Sequence, residues 1–110
     1  MTRIGFIAAL SLFGLTLSAD AGDIPAREAR RLASTYMVCY ITGCGGVTDP
    51  VAHGNVWEVP LRFGVAGTPR GAIHVDRATG TVSYSYAGQH YPTVSPKQLA
   101  QKEYELVHRR

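Results

Sequence analysis

Between residues 56 and 86 apolar and polar side chains alternate with the period of a β-strand, and two turn signals interrupt them. Trp57, Val59, Leu61, Phe63 and Val65 fall on one side and Glu58 and Arg62 on the other, which predicts a strand with one dry face and one wet face. Pro60 has no N–H to give a ladder, so this strand is expected at a sheet edge, or to carry a bulge at that point. Gly67-Thr68-Pro69-Arg70-Gly71 reads as the first turn, after which Ile73 and Val75 resume the dry row opposite Ala72, His74 and Asp76. Asp76-Arg77-Ala78-Thr79-Gly80 reads as the second, with Asp76 bonding its own backbone and Gly80 able to take a positive φ. Val82, Tyr84 and Tyr86 make a third dry row, and Thr81, Ser83 and Ser85 face outward. Such short links predict an antiparallel meander with one apolar face. Its side chains contribute about 1.5–3 kcal/mol each for full burial, an upper bound because the unfolded chain already hides some of this area.

The flanking segments carry a helical period instead. Ala26, Ala29, Leu32, Ala33, Tyr36, Met37 and Tyr40 recur at spacings of three and four, with Arg27, Glu28, Arg30 and Arg31 on the opposite, solvent side. This predicts an amphipathic helix over residues 25–39, capped by Asp23 with Pro25 in its first turn. Gly43, Gly45 and Gly46 end it, and residues 43–55 read as an ordered loop without sustained periodicity. Residues 87–94 read as loop or a short extra strand. Ser95-Pro96 then starts a second helix reaching about residue 108, with Leu99, Ala100, Tyr104, Leu106 and Val107 as its apolar positions. That helix packs on the sheet, lies at its edge or mediates assembly. The expected architecture is α+β, in the order α-β-β-β-α.

Composition adds a location. Arg3, an apolar run over residues 4–17 and the small-x-small step Ala19-Asp20-Ala21 follow the order of a secretory signal peptide, so residues 1–21 are assigned to a signal and residues 22–110 to a single domain. The run is shorter than the roughly 20 residues of a membrane-spanning helix, so no stable span is expected after cleavage. The 110-residue chain carries a formal charge of +3, which loss of Arg3 and Asp20 together leaves unchanged. The charge is dispersed, as on solvated faces, and does not form a nucleic-acid footprint. A domain of about 90 residues has a thin core. In an exported chain the two cysteines, Cys39 and Cys44, are expected to be paired, closing a ring worth about 2 kcal/mol.

Candidate chemistry is sparse. The four histidines, His53, His74, His90 and His108, have no i, i+4 partner, and pairing of the cysteines would withdraw both thiolates, so neither a metal nor a cofactor is expected. Ser83 and Ser85 sit in a strand pattern without a nucleophile elbow, and the glycines after the first helix lack the P-loop pattern. No catalytic residue is assigned. The wet face of the sheet, with Glu58, Arg62, His74, Ser83 and Ser85, is the candidate partner-binding surface; its alternative is ordinary solvated sheet.

Trp57-Glu58-Val59 and the run Ile73-His74-Val75-Asp76-Arg77-Ala78-Thr79-Gly80-Thr81-Val82 resemble the PepSY family of small exported domains, in which an alanine-bearing helix precedes an aromatic-x-Val strand and a strand ending V-D-x-x-T-G-x-V. The resemblance covers residues 25–86; the segment 39–55 and the C-terminal helix depart from the family pattern. It implies an exported, non-catalytic module that binds or restrains proteases and other envelope proteins. A slighter resemblance, through the W-x-V strand and the Gly-led strand and turn, is to small NTF2-fold immunity proteins, and implies a periplasmic protein that neutralises one dedicated toxin. Both place the protein in the periplasm or outside the cell, with a protein partner and without enzymatic activity.

Overall fold

A computed structural model describes residues 23–109 of the chain; the signal segment assigned to residues 1–21 lies outside them. The class is α+β: helix α1 (Ala26–Tyr36), a π-helical turn (Met37–Ile41), strands β1 (Gly45–Val47), β2 (Val51–His53), β3 (Val56–Phe63), β4 (Thr68–Asp76) and β5 (Val82–Ser83), the small hairpin β6 (Ser85–Tyr86) and β7 (Gln89–His90), and helix α2 (Pro96–Val107). The expected meander is β3-β4-β5, antiparallel throughout. β1 and β2 add to the far side of β3 and complete a five-stranded sheet. Val94 extends the other side through paired backbone bonds with Val82, at 2.8 and 3.0 Å.

The dry face and α1 meet as their periods require. Ala29, Leu32, Ala33, Tyr36 and Met37 form the buried stripe of the helix, against Val59, Leu61, Ile73, Val75 and Val82 of the sheet. Small residues at 29 and 33 let the helix lie close to the strands. Tyr36 is fully buried, and its hydroxyl donates to the Pro92 carbonyl. Tyr84 is buried too and donates to the Arg70 carbonyl at 2.6 Å. α2 lies against α1 and the π turn and sends Leu99 into the core. Its start is the expected one, made stronger by a capping box. Ser95 Oγ accepts from the Gln98 N–H at 3.1 Å while the Gln98 side chain accepts from the Ser95 N–H at 2.8 Å.

Several expectations are corrected. The segment 43–55 is not a loop: β1 and β2 pair with β3, so β3 is a central strand and Pro60 is not on an edge. Pro60 is tolerated because its carbonyl accepts the Thr48 N–H at 3.0 Å. A residue in a ladder points its N and O the same way, so the proline nitrogen faces the break between β1 and β2, where no acceptor is wasted. The register shift expected near Pro60 is present between Pro60 and Arg62, but the extra residue belongs to β4. Leu61 opposes both Arg70 and Gly71, and Gly71 takes φ +76°, the geometry of a glycine bulge. The turn assigned to residues 67–71 therefore sits earlier, at residues 64–67, and places Val65 in solvent. The third dry row breaks after Tyr84, leaving Tyr86 exposed in the small hairpin.

Asp23 does not cap α1, whose N-cap is Pro25 without a side-chain bond. It pairs instead with Arg77, Oδ2 to Nη2 at 3.1 Å. Ile24 donates to the Arg77 carbonyl at 2.7 Å and accepts from Trp57 Nε1 at 2.8 Å, and the Arg77 guanidinium lies 4.9 Å from the Trp57 ring. The aromatic-x-Val strand and the Asp76 turn thus hold the first two described residues to the sheet. Arg30 is not simply solvated either: it reaches Asp49 at 2.6 Å and the Val47 carbonyl at 3.3 Å, covering the outer edge of β1.

The expected disulfide is not formed: Cys39 and Cys44 are free thiols. Cys39 lies in the π turn, half-buried against the core. Thr42, with extended backbone at φ −164°, ends that turn and carries Cys44 out to an exposed position before β1. Burial pushes the Cys39 thiol up from its ordinary pKa.

Candidate functional site

Three adjacent strands place Glu58, His74 and Ser83 in one transverse row on the wet face, Glu58 opposite His74 and His74 opposite Ser83. The row is a direct consequence of register, because directly paired residues project to the same side of a sheet. β2, which the sequence pattern did not reveal, adds His53 diagonally. Its Nε2 stands 3.5 Å from Glu58 Oε1, and His74 Nε2 stands 3.4 Å from Glu58 Oε2. One carboxylate is thus flanked by two imidazoles, each beyond normal hydrogen-bond length. All three side chains are substantially exposed, so the cluster adds little to folding stability.

Beyond His74 the row opens into a hollow of about 180 Å³ between the sheet and the chain after β5, lined by His74, Ser83, Tyr84, Ser85, His90, Tyr91 and Thr93. The β6–β7 hairpin builds its far wall. Ala87 and Gly88 take φ +51° and +83° at the two central positions of the turn, the backbone of a two-residue hairpin link, which returns His90 opposite Ser85. Tyr91 is then fixed by its N–H bond to the Tyr84 carbonyl at 3.0 Å and by ring contact with Tyr84 at 5.0 Å between centroids.

Four of the five proposed partner-binding residues, Glu58, His74, Ser83 and Ser85, therefore share one surface. Arg62 does not join them: it lies past the bulge toward the β3–β4 hairpin, where its Nη1 donates to the Gly67 carbonyl at 3.1 Å. His53, His90, Tyr91 and Thr93 belong to the surface and were not singled out for it. The Ala-Gly step after Tyr86 was the one local signal for the hairpin that delivers His90 and Tyr91.

The order Ser83–His74–Glu58 has the residue types of a nucleophilic triad, and the geometry can be compared with that role. Activation needs the base within about 2.6–3.2 Å of the nucleophile. Among the described residues no hydrogen bond joins Ser83 to His74, whose Nε2 faces Glu58. No group of three or more His, Cys, Asp or Glu side chains among the described residues is arranged to hold a metal ion. Asp76 acts in its turn: its Oδ1 accepts the Ala78 and Thr79 N–H groups at 2.9 and 3.0 Å, and these bonds, Thr79's first, hold its carboxyl below the usual range.

Comparison with family models, curated proteins and solved structures finds no match to this chain. The functional reading stands on the residues and their geometry. Among the described residues, no helix is long and apolar enough to cross a membrane.

Proposed function

We propose that this protein is an exported, non-enzymatic binding module that docks a protease or another envelope protein on the open face of its sheet. The observation that carries this reading is the inequality of the two faces. One is filled by α1 with apolar contacts, and the other presents the row Glu58, His74 and Ser83, with His53 diagonal to it and the His53, Glu58 and His74 side chains substantially exposed. Polar side chains held on strands are pre-ordered, so a partner would find their hydrogen-bonding groups in place at low entropic cost.

The test is retention of envelope proteins on immobilised protein in three forms: the native chain, the Glu58→Ala/His74→Ala variant, and Val107→Ser, which alters an exposed apolar position on α2. The expected result is one stoichiometric partner, kept by the native chain and by Val107→Ser and lost by the double variant. A protease as that partner supports restraint of proteolysis; a single dedicated toxin assigns the protein to immunity instead. Loss with Val107→Ser alone would move the interface to the helices, and retention of nothing would overturn the proposal. Intact mass of the exported chain tests the location, with a start near Gly22 expected.

A further inference from the structure

The hollow beside His74 is lined by side chains of one chemical kind. Ser83, Ser85, Tyr91 and Thr93 bring hydroxyls, His74 and His90 bring imidazoles, and Tyr84, whose hydroxyl is spent on the Arg70 carbonyl, completes the lining. Every one can donate a hydrogen bond, and none is a carboxylate, which can only accept when ionised. Among the described residues the four hydroxyls have no hydrogen-bond partner, and the one polar contact of either imidazole is that of His74 with Glu58. Hydroxyls and imidazoles also accept, but gathered around about 180 Å³ with no carboxylate among them they can all turn a donor toward a ligand made of acceptors. Glu58 lies on the other neighbour strand of His74 and outside the lining.

We infer that this hollow binds a small oxyanion, a carboxylate or phosphate group, gripped by the hydroxyls of Ser83, Ser85 and Thr93 between His74 and His90. The inference rests on the reading of the open face as a docking surface, and names the chemistry of what docks. The oxyanion comes from either of two sources: a carboxylate borne by the partner chain, or a free ion. A cation is disfavoured, because hard cations take carboxylate and carbonyl oxygens and the side chains of the lining offer neither.

The test follows the ring signals of the four histidines by nuclear magnetic resonance, in protein purified after expression of the full chain. The additions are a short peptide with a free C-terminal carboxylate, the same peptide amidated, and inorganic phosphate. Saturable shifts of His74 and His90, with His108 unmoved, are expected. If the free peptide produces them and the amide does not, the source is a partner carboxylate; if phosphate alone does, the source is a free ion. No saturable shift, or equal shifts with the amidated peptide, would overturn the inference. Ser83→Ala/Ser85→Ala should weaken binding about tenfold or more through two lost hydrogen bonds, and Thr93→Val gives a second, independent reduction if the serine variant folds poorly. Unchanged affinity in both would also overturn it. Failure here with partner retention still dependent on Glu58 and His74 removes the oxyanion and leaves the docking face; anion binding without partner retention does the reverse.

Discussion

Substitution of Gly80 by alanine tests how the Asp76 turn is joined to the rest of the protein. Gly80 is buried at φ +82°. A Cβ there would stand 2.8 Å from Ile24 Cδ1, 2.8 Å from Pro96 Cγ and 3.6 Å from Leu32 Cδ1. The Ile24 methyl is the end of a flexible chain and can turn away. Pro96 cannot, because its ring is rigid and occupies the first turn of α2. The left-handed backbone costs an alanine about 1–2 kcal/mol, and the overlap adds about 1–3 kcal/mol. The expected loss of about 2–5 kcal/mol is a large part of the roughly 4–13 kcal/mol available to a domain of this size. Gly88→Ala is the control: its φ is +83°, and nothing lies within 4 Å of the added Cβ, so it carries the backbone cost alone. In urea, with a slope of about 1 kcal/mol per molar for a small domain, the two variants should unfold about 1–3 M apart, with Gly80→Ala the weaker. Adding Pro96→Ala should recover part of the Gly80→Ala loss, a favourable coupling between neighbours. Equal midpoints for Gly80→Ala and Gly88→Ala would refute the reasoning, because the contact with α2 would then cost nothing.

Three further outcomes are expected. The Tyr36 hydroxyl is pushed up to about 12, by burial first and by its tyrosine neighbours Tyr40 and Tyr91 second. The folded chain thus holds this proton more tightly than the unfolded chain, where a phenol titrates near about 10; the stabilisation is complete below about pH 10 and is lost as pH rises through about 12, read as a falling urea midpoint that is shallower in Tyr36→Phe. Trp57→Phe removes the indole bond to the Ile24 carbonyl and should cost about 1 kcal/mol, with faster amide exchange at Ile24, whose N–H bonds Arg77; unchanged exchange would show that the clamp does not depend on Trp57. Without reductant, a maleimide should modify the exposed Cys44 quickly and the half-buried Cys39 slowly, and a chain that takes up no label until reduced would contradict the free thiols.

Much of the fold was legible because its periods are local. The 29-32-33-36-37 spacing needed only a helix and an apolar neighbour to become a buried stripe, and 57-59-61 and 73-75 needed only a sheet. Ser95 at the helix start and Asp76 in its turn bond backbone a few residues on, so both roles were readable from spacing, while the return bond from Gln98 was seen only in the structure. What escaped depended on distant partners. Gly45-Gly46-Val47 has no strand pattern of its own and becomes one because β3 offers open ladder groups. A Cβ on Gly45 would stand 2.5 Å from the Arg62 carbonyl, so the glycine that looked like a loop former is what lets the two backbones approach. The candidate site divides in the same way. Glu58, His74, Ser83 and Ser85 were visible as wet-face positions, whereas His53 and His90 arrive on β2 and β7, strands of three and two residues in tight hairpins that are too short to show an alternation of their own.

The sequence alone determined the class, the two helices, the sheet with one dry face and the chemistry of the Asp76 turn, because each follows from spacings within about ten residues and from the cost of exposing apolar surface. Only the tertiary structure decided that Pro60 lies in a central strand, that Gly71 carries the bulge, that the cysteines stand apart as thiols and that three histidines gather around Glu58 and the hydroxyl-lined hollow. Those outcomes turn on register and on which edge pairs with which. Strand pairing across long loops is set by the global minimum of packing and hydrogen bonding, not by the preference of any one segment.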